Sequence, residues 1–213
     1  MDGTGEARRG GAEMSRDQLL HVLRLYEEEN RGERPMVERV RRLISEYQNC
    51  FERECLPGHI TASSWIFSHD RTHFLLTHHR KLGRWLQLGG HADGDANPLN
   101  VALREAREES GMVHFDRVDR YRTSSVSEGF PIPADLDVHR IPSRPGEPEH
   151  EHYDFRFILV ARLGQPLVIS EESSDLAWFR TEELEQALDR AGADESLLRL
   201  GRKALACSLG RSE

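Results

Sequence analysis

Between Gly89 and Met112 the chain reads GGHADGDANPLNVALREAREESGM, and no other stretch limits the possible folds as strongly. Asn97-Pro98 is a helix start, because asparagine caps free backbone amides and proline fits the first helical position. Leu99, Ala102, Leu103 and Ala106 then recur at i, i+3, i+4 and i+7, an apolar stripe whose alanines allow close packing on a sheet. Gly111 suits the left-handed residue that ends such a helix. Glu105, Glu108 and Glu109 fall at i, i+3 and i+4, so three carboxylates project together from a side other than the docking stripe. Like charges at this spacing repel unless a cation, or Arg104 and Arg107, offsets them. In outline this is a site for a hard cation, which prefers oxygen ligands. The preceding Gly89-Gly90 lets the backbone turn sharply and offer a carbonyl or amide to a ligand.

A helix of this kind needs a sheet to lie on, and the flanking sequence supplies one. After Pro57-Gly58, residues 59–68 and 73–79 are rich in β-branched and aromatic residues, with a turn at Asp70-Arg71. Trp85, Leu86 and Leu88 form a short strand running into Gly89-Gly90. Further strands are expected from Val113 to Ser125, from Tyr153 to Ala161 and at Leu167 to Ser170. The proline-rich interval 127–152 reads as a long functional or connecting loop. Thr181 is expected to cap a helix from Glu182 to about Arg190, and Glu195 to Ser208 forms a last helix.

Upstream, residues 1–14 are glycine-rich, polar and aperiodic, as in a disordered tail. Ser15 caps a helix carrying Leu19, Leu20, Val22, Leu23 and Tyr26. After a break near Gly32 to Pro35, a second helix carries Met36, Val40, Leu43, Ile44 and Tyr47. The basic residues of this pair are matched by Glu27, Glu28, Glu29, Glu38 and Glu46, which favours a helical cap on the main domain over a DNA-reading element. The expected division is a tail over 1–14, a helical cap over 15–56 and a main domain over 57–213.

A net charge of -8 gives no broad cationic surface for nucleic acid, so stable nucleic-acid binding is not expected. No apolar run approaches the roughly 20 residues that span a bilayer, and the start lacks a signal-peptide core, so a cytoplasmic location is expected. Cys50, Cys55 and Cys207 form no disulfide framework. Cys50, Cys55 and His59 suggest zinc only weakly, since a fourth ligand is missing, and buried thiols are the expected state.

The run from Gly90 to Met112 resembles the Nudix box: Gly, five residues, Glu, seven residues, then Arg-Glu-apolar-any-Glu-Glu-any-Gly-apolar. Gly90, Arg104, Glu105, Glu108, Glu109, Gly111 and Met112 stand at matching positions, with Ala106 as a small apolar residue. Ala96 replaces the first Glu; Asp93 and Asp95 are nearby but out of register. The resemblance implies an α/β (α+β) fold, the Nudix αβα sandwich with a mixed β-sheet, here with an N-terminal helical extension. It also implies hydrolysis of a phosphoanhydride in a nucleoside diphosphate linked to another moiety, with Mg²⁺ or Mn²⁺ as cofactor and a monomer or homodimer as the working form.

On that resemblance Glu108 and Glu109 are direct metal ligands, Glu105 is a further ligand or the base that activates water, and the Gly89 carbonyl completes the shell. Arg104 orients the acids, for example through Glu108. Glu172, six residues before Trp178, is the expected additional acid from a later loop. His91, Asp93, His139 and His152, with Asp137 and His150 beside them, are candidates to bind substrate, hold a second metal or move a proton. Two other readings compete: an isopentenyl-diphosphate-isomerase-like enzyme, which needs a site cysteine, and a Nudix-fold ligand sensor using the N-terminal helices as its binding element.

Overall fold

The computed structural model describes residues 14–120 and 130–209. The expected tail lies outside them except for Met14, which is buried in the core. Helix α1 spans Arg16–Glu29 and begins with a reciprocal cap: the Gln18 amide donates to Ser15 Oγ, and the Ser15 amide donates to Gln18 Oε1. A short 3-10 turn at Arg31–Glu33 leads into α2, Arg34–Glu46, with Pro35 in its first turn. Arg16 fastens the two helices by donating to the carbonyls of Ile44 at 2.7 Å and Tyr47 at 3.1 Å.

Strand β1, Gly58–Phe67, is buried along its whole length, which explains its unbroken apolar and small-residue character. β2, His73–His79, returns beside it. The expected strand at Trp85 to Leu88 is two strands: β3, Arg84–Leu86, pairs with β2, and β4, Leu88–His91, pairs with β1. The chain therefore changes partners at Gln87 and delivers Gly89 and Gly90 to the centre of the sheet. Helix α3, Pro98–Ser110, follows, with Asn97 accepting from the Leu99 amide and Gly111 left-handed at φ 72°.

The next strand, β5, covers only Phe115–Val118, and residues 121–125 of the expected longer strand lie outside the described residues. The expected loop over 127–152 contains a strand, β6, Asp135–Ile141, paired antiparallel with β7, His150–Ala161. Leu136 and Val138 supply the alternation that places β6 in the sheet; the flanking prolines end it instead of dissolving it. No strand forms at Leu167 to Ser170; β8 is Ser173–Arg180 and lies against β2. Thr181 opens a 3-10 turn, but its hydroxyl is buried without a partner, so it does not cap α4, Leu184–Arg190. Helix α5 is Glu195–Leu209.

The eight strands of the described residues form one mixed sheet, whose backbone path is β3-β2-β1-β7-β5 and whose centre is the parallel pair β1–β7. Alternate residues of β1 divide between two layers. Ile60, Ala62 and Ile66 face α1, α2 and α3, with Ala62 joining Val101 and Ala102, and Ile66 joining Ala106. Trp65 and Phe67 face α4 and α5. The result is an αβα sandwich, as expected.

One charged cluster joins the layers. Arg156 reaches Asp154 at 2.9 Å, Asp137 at 3.1 Å and Asp135 at 3.3 Å, while Arg199 and Lys203 of α5 bind Asp135 at 3.1 and 2.5 Å. Lys203 also donates to Tyr26 Oη of α1 at 3.0 Å. Each buried charge thus has opposite charges around it, the condition for keeping ions in a core.

Candidate functional site

The carboxylates of α3 meet the glycines of β4. The Gly89 amide donates to Glu109 Oε2 at 2.9 Å, so the Gly89 group seen to engage an acid is its N–H. A Cβ built on Gly90 would stand 2.6 Å from the Glu105 carboxylate, so only glycine lets that acid lie against the strand. Glu109 and Glu105 are mostly covered, with Glu109 only 8% exposed, whereas Glu108 reaches solvent. Burial pushes the Glu109 carboxyl up to about 8, and Glu105, Glu172 and Glu108 add to the rise against the Gly89 hydrogen bond. Burial likewise raises Glu105, with Arg104 opposing and Glu108 and Glu172 reinforcing.

Glu172 therefore belongs electrostatically to the α3 acids, although it is exposed and lies just before β8. Arg80 holds its turn: the Arg80 amide donates to the Glu172 carbonyl at 2.9 Å, and the guanidinium donates to the carbonyls of Glu171 and Ser173. Arg104 bonds Glu105 at 2.9 Å and the His91 carbonyl at 2.5 Å. This replaces the expected Arg104–Glu108 pair, because the guanidinium turns inward to the loop end instead of running along the helix.

Asp93 is engaged by a cation instead of by the acidic group. It holds Arg53 in a two-pronged pair at 2.6 and 2.8 Å, and that bond keeps its carboxyl below the usual range. Arg53 in turn feels the charges of Glu105 and Glu172, so the loop after α2 brings a cation into the field of the acidic site. Ala96 packs against the apolar cluster beneath α1 and α2.

The histidines gather on the other face of the sheet's central strands. His59 of β1 pairs with His152 of β7, and His152 with His139 of β6, so strand register sets three rings in a row. His150 precedes His152 by two residues and shares its face. The His59 ring lies 4.9 Å from both His150 and His152 and 5.2 Å from His91, and His91 lies 5.0 Å from His152. Burial, reinforced by neighbouring cationic groups, lowers His91 to about 4 and His152 to about 2.

Thus Glu105, Glu108, Glu109 and Glu172 form one group and His91, His139 and His152 another, with Asp93 held by Arg53 and acting electrostatically on His91. Sequence reasoning missed Arg53, which carries no motif, and the place of His59 among the histidines. His59 is separated from its partners by about 90 residues of chain, and only the β1–β7 register brings them together.

The NUDIX domain family model matches residues 58–200. Among solved structures, a NUDIX-family hydrolase from Clostridium perfringens is 24% identical, with a TM-score of 0.53 over 72% of this chain and 98% of its own. An Ap4A hydrolase from C. elegans, solved as a binary complex, is 17% identical, with a TM-score of 0.52 over 71% of this chain and 98% of its own. These two likenesses concern the fold. No curated protein sequence matches the chain significantly.

Proposed function

The chain belongs to the NUDIX family, and from that premise we propose that it hydrolyses a phosphoanhydride bond in a nucleoside diphosphate linked to another moiety, with Mg²⁺ or Mn²⁺ as cofactor. One observation carries this reading: Glu105 and Glu109 are packed against Gly89-Gly90 within the fields of Glu108 and Glu172, and their proton affinities are raised by it. Two mostly covered acids in the fields of two exposed ones fit a hard divalent cation, whose positive charge favours the ionised forms of Glu105 and Glu109.

Glu109, Glu108 and Glu105 would hold the ion, and Glu172, whose charge acts on Glu105 and Glu109, would assist. When bound, the ion neutralises phosphate charge and raises the electrophilicity of phosphorus. Glu105, held at 2.9 Å by Arg104, is then oriented as the group that accepts a proton from the attacking water. Arg53, steadied by Asp93, offers its guanidinium to a substrate phosphate at the rim. An isomerase-like chemistry has less support: Cys50 and Cys55 are buried in the apolar cluster under the cap, and Cys207 sits on α5.

The test is a panel of nucleoside diphosphate derivatives, dinucleoside polyphosphates and nucleoside triphosphates, assayed with Mg²⁺ and with Mn²⁺. Cation-dependent cleavage of a diphosphate linkage is the expected outcome. A chain that is folded, binds the cation and cleaves none of the panel would overturn the reading.

A further inference from the structure

We propose that His59, His150 and His152 form a second metal site, selective for a late first-row divalent ion of the zinc type and separate from the acidic group on α3. The ligand nitrogens of these three residues all lie within 4.8 Å of one another. Nε2 of His150 and Nε2 of His152 are 3.3 Å apart. Two imidazoles bound tetrahedrally at about 2.0–2.1 Å from zinc have nitrogens roughly 3.3–3.4 Å apart, so this edge already has the required length.

The second observation is His59 itself. It is 1% exposed, and neither ring nitrogen makes a well-formed hydrogen bond, although the Cys55 backbone is within its reach. A buried imidazole left in this state costs free energy that a metal bond would recover. Third, Nδ1 of His150 lies 2.9 Å from the Pro148 carbonyl. A carbonyl only accepts, so Nδ1 carries the proton and the Nε2 lone pair points at His152. This backbone bond is the arrangement that orients histidine ligands in metal proteins.

The donor chemistry selects the ion. The three ligands are nitrogen, with no carboxylate among them, and imidazole suits zinc, copper or nickel where magnesium prefers oxygen. Three protein ligands leave one tetrahedral position for water, for His91, whose ring lies 5.0 Å from that of His152, or for Glu147, whose Oε1 lies 3.7 Å from His150 Nε2. Because His59 begins β1 and His150 and His152 begin β7, the ion would also clip the central strand pair together at one end.

The test uses the full chain, stripped with a chelator and titrated with Zn²⁺ and with Co²⁺ as a coloured substitute. One equivalent of Zn²⁺ per chain, a raised melting temperature and the ligand-field absorption of four-coordinate Co²⁺ are expected. The double variant H150Q/H152Q should weaken Zn²⁺ binding by more than about tenfold, while E108Q/E109Q should leave it unchanged. Absence of Zn²⁺ binding by the wild type, or loss of it in the carboxylate variant alone, would overturn the proposal. If H150Q/H152Q does not fold, side-chain ¹⁵N spectra of the wild type decide: Zn²⁺ must shift the ring nitrogens of His59, His150 and His152, and unshifted rings would refute the site.

Discussion

The Gly89 amide donates to Glu109 Oε2 at 2.9 Å, tying the end of the acidic helix to the strand that leads into it. This single contact keeps a buried carboxyl in place even though its neighbours are acids. Its consequence is a pH dependence with a definite sign. An unfolded glutamate titrates near 4.3, whereas burial and the surrounding acids push folded Glu109 up to about 8. Between those values the folded chain holds a proton that the unfolded chain has lost, so stability of the metal-free protein should fall as pH rises through the window. Chemical denaturation in chelator across this range measures it, and E109Q should flatten the slope. Mg²⁺ has to displace that proton, so its binding should tighten toward the upper end of the window.

Gly90→Ala should act on Glu105 and not on the fold. The added Cβ would meet the Glu105 carboxylate at 2.6 Å, and that group is the far end of a flexible side chain, so it moves. A turnover loss of about tenfold or more is expected, with a melting temperature close to that of the wild type. A variant with unchanged turnover would mean that the position of Glu105 does not matter.

Asp135→Ala should unfold the protein far more readily than a typical surface change. Asp135 is fully buried and accepts from Arg156, Arg199 and Lys203 together, so its loss takes one partner from each of three cations and leaves Asp137, Asp154 and Glu33 to hold them. Breaking a buried ionic group in this way costs about 3–5 kcal/mol. Urea unfolding gives the number, and a loss below about 1 kcal/mol would show that the cluster is solvated.

Ala96→Glu restores the acid of the Nudix pattern but places a charge against the apolar cluster under the cap. Lower stability by about 1 kcal/mol and no gain in turnover are expected. A large gain in turnover would show that the natural site is impaired by its alanine.

The acidic helix was legible in the sequence because its information is local: Asn97, Pro98, the alanine stripe, the glutamates and Gly111 all act within a few turns of chain. The αβα sandwich came from the resemblance to the Nudix pattern, with the helix and strand periodicities in agreement. β6 was not legible, because five prolines and a run of histidines and acids concealed the Leu136 and Val138 alternation. The partner change at Gln87 was hidden for another reason, since it depends on which strands lie to either side. His59 was associated with Cys50 and Cys55 by nearness in sequence, whereas its structural partners come from β7. Register between distant strands is a long-range property, and no local pattern encodes it.

The central claim is that the acids of α3 hold the cation used to cleave a diphosphate. Its most direct test is the cation-dependent turnover of Glu109→Gln against wild type, on the best substrate of the panel and with the fold checked by circular dichroism. The variant preserves shape and the Gly89 contact while removing the negative charge, so a loss of about 10²-fold or more is predicted. Turnover near that of the wild type in a folded Glu109→Gln protein would contradict the account.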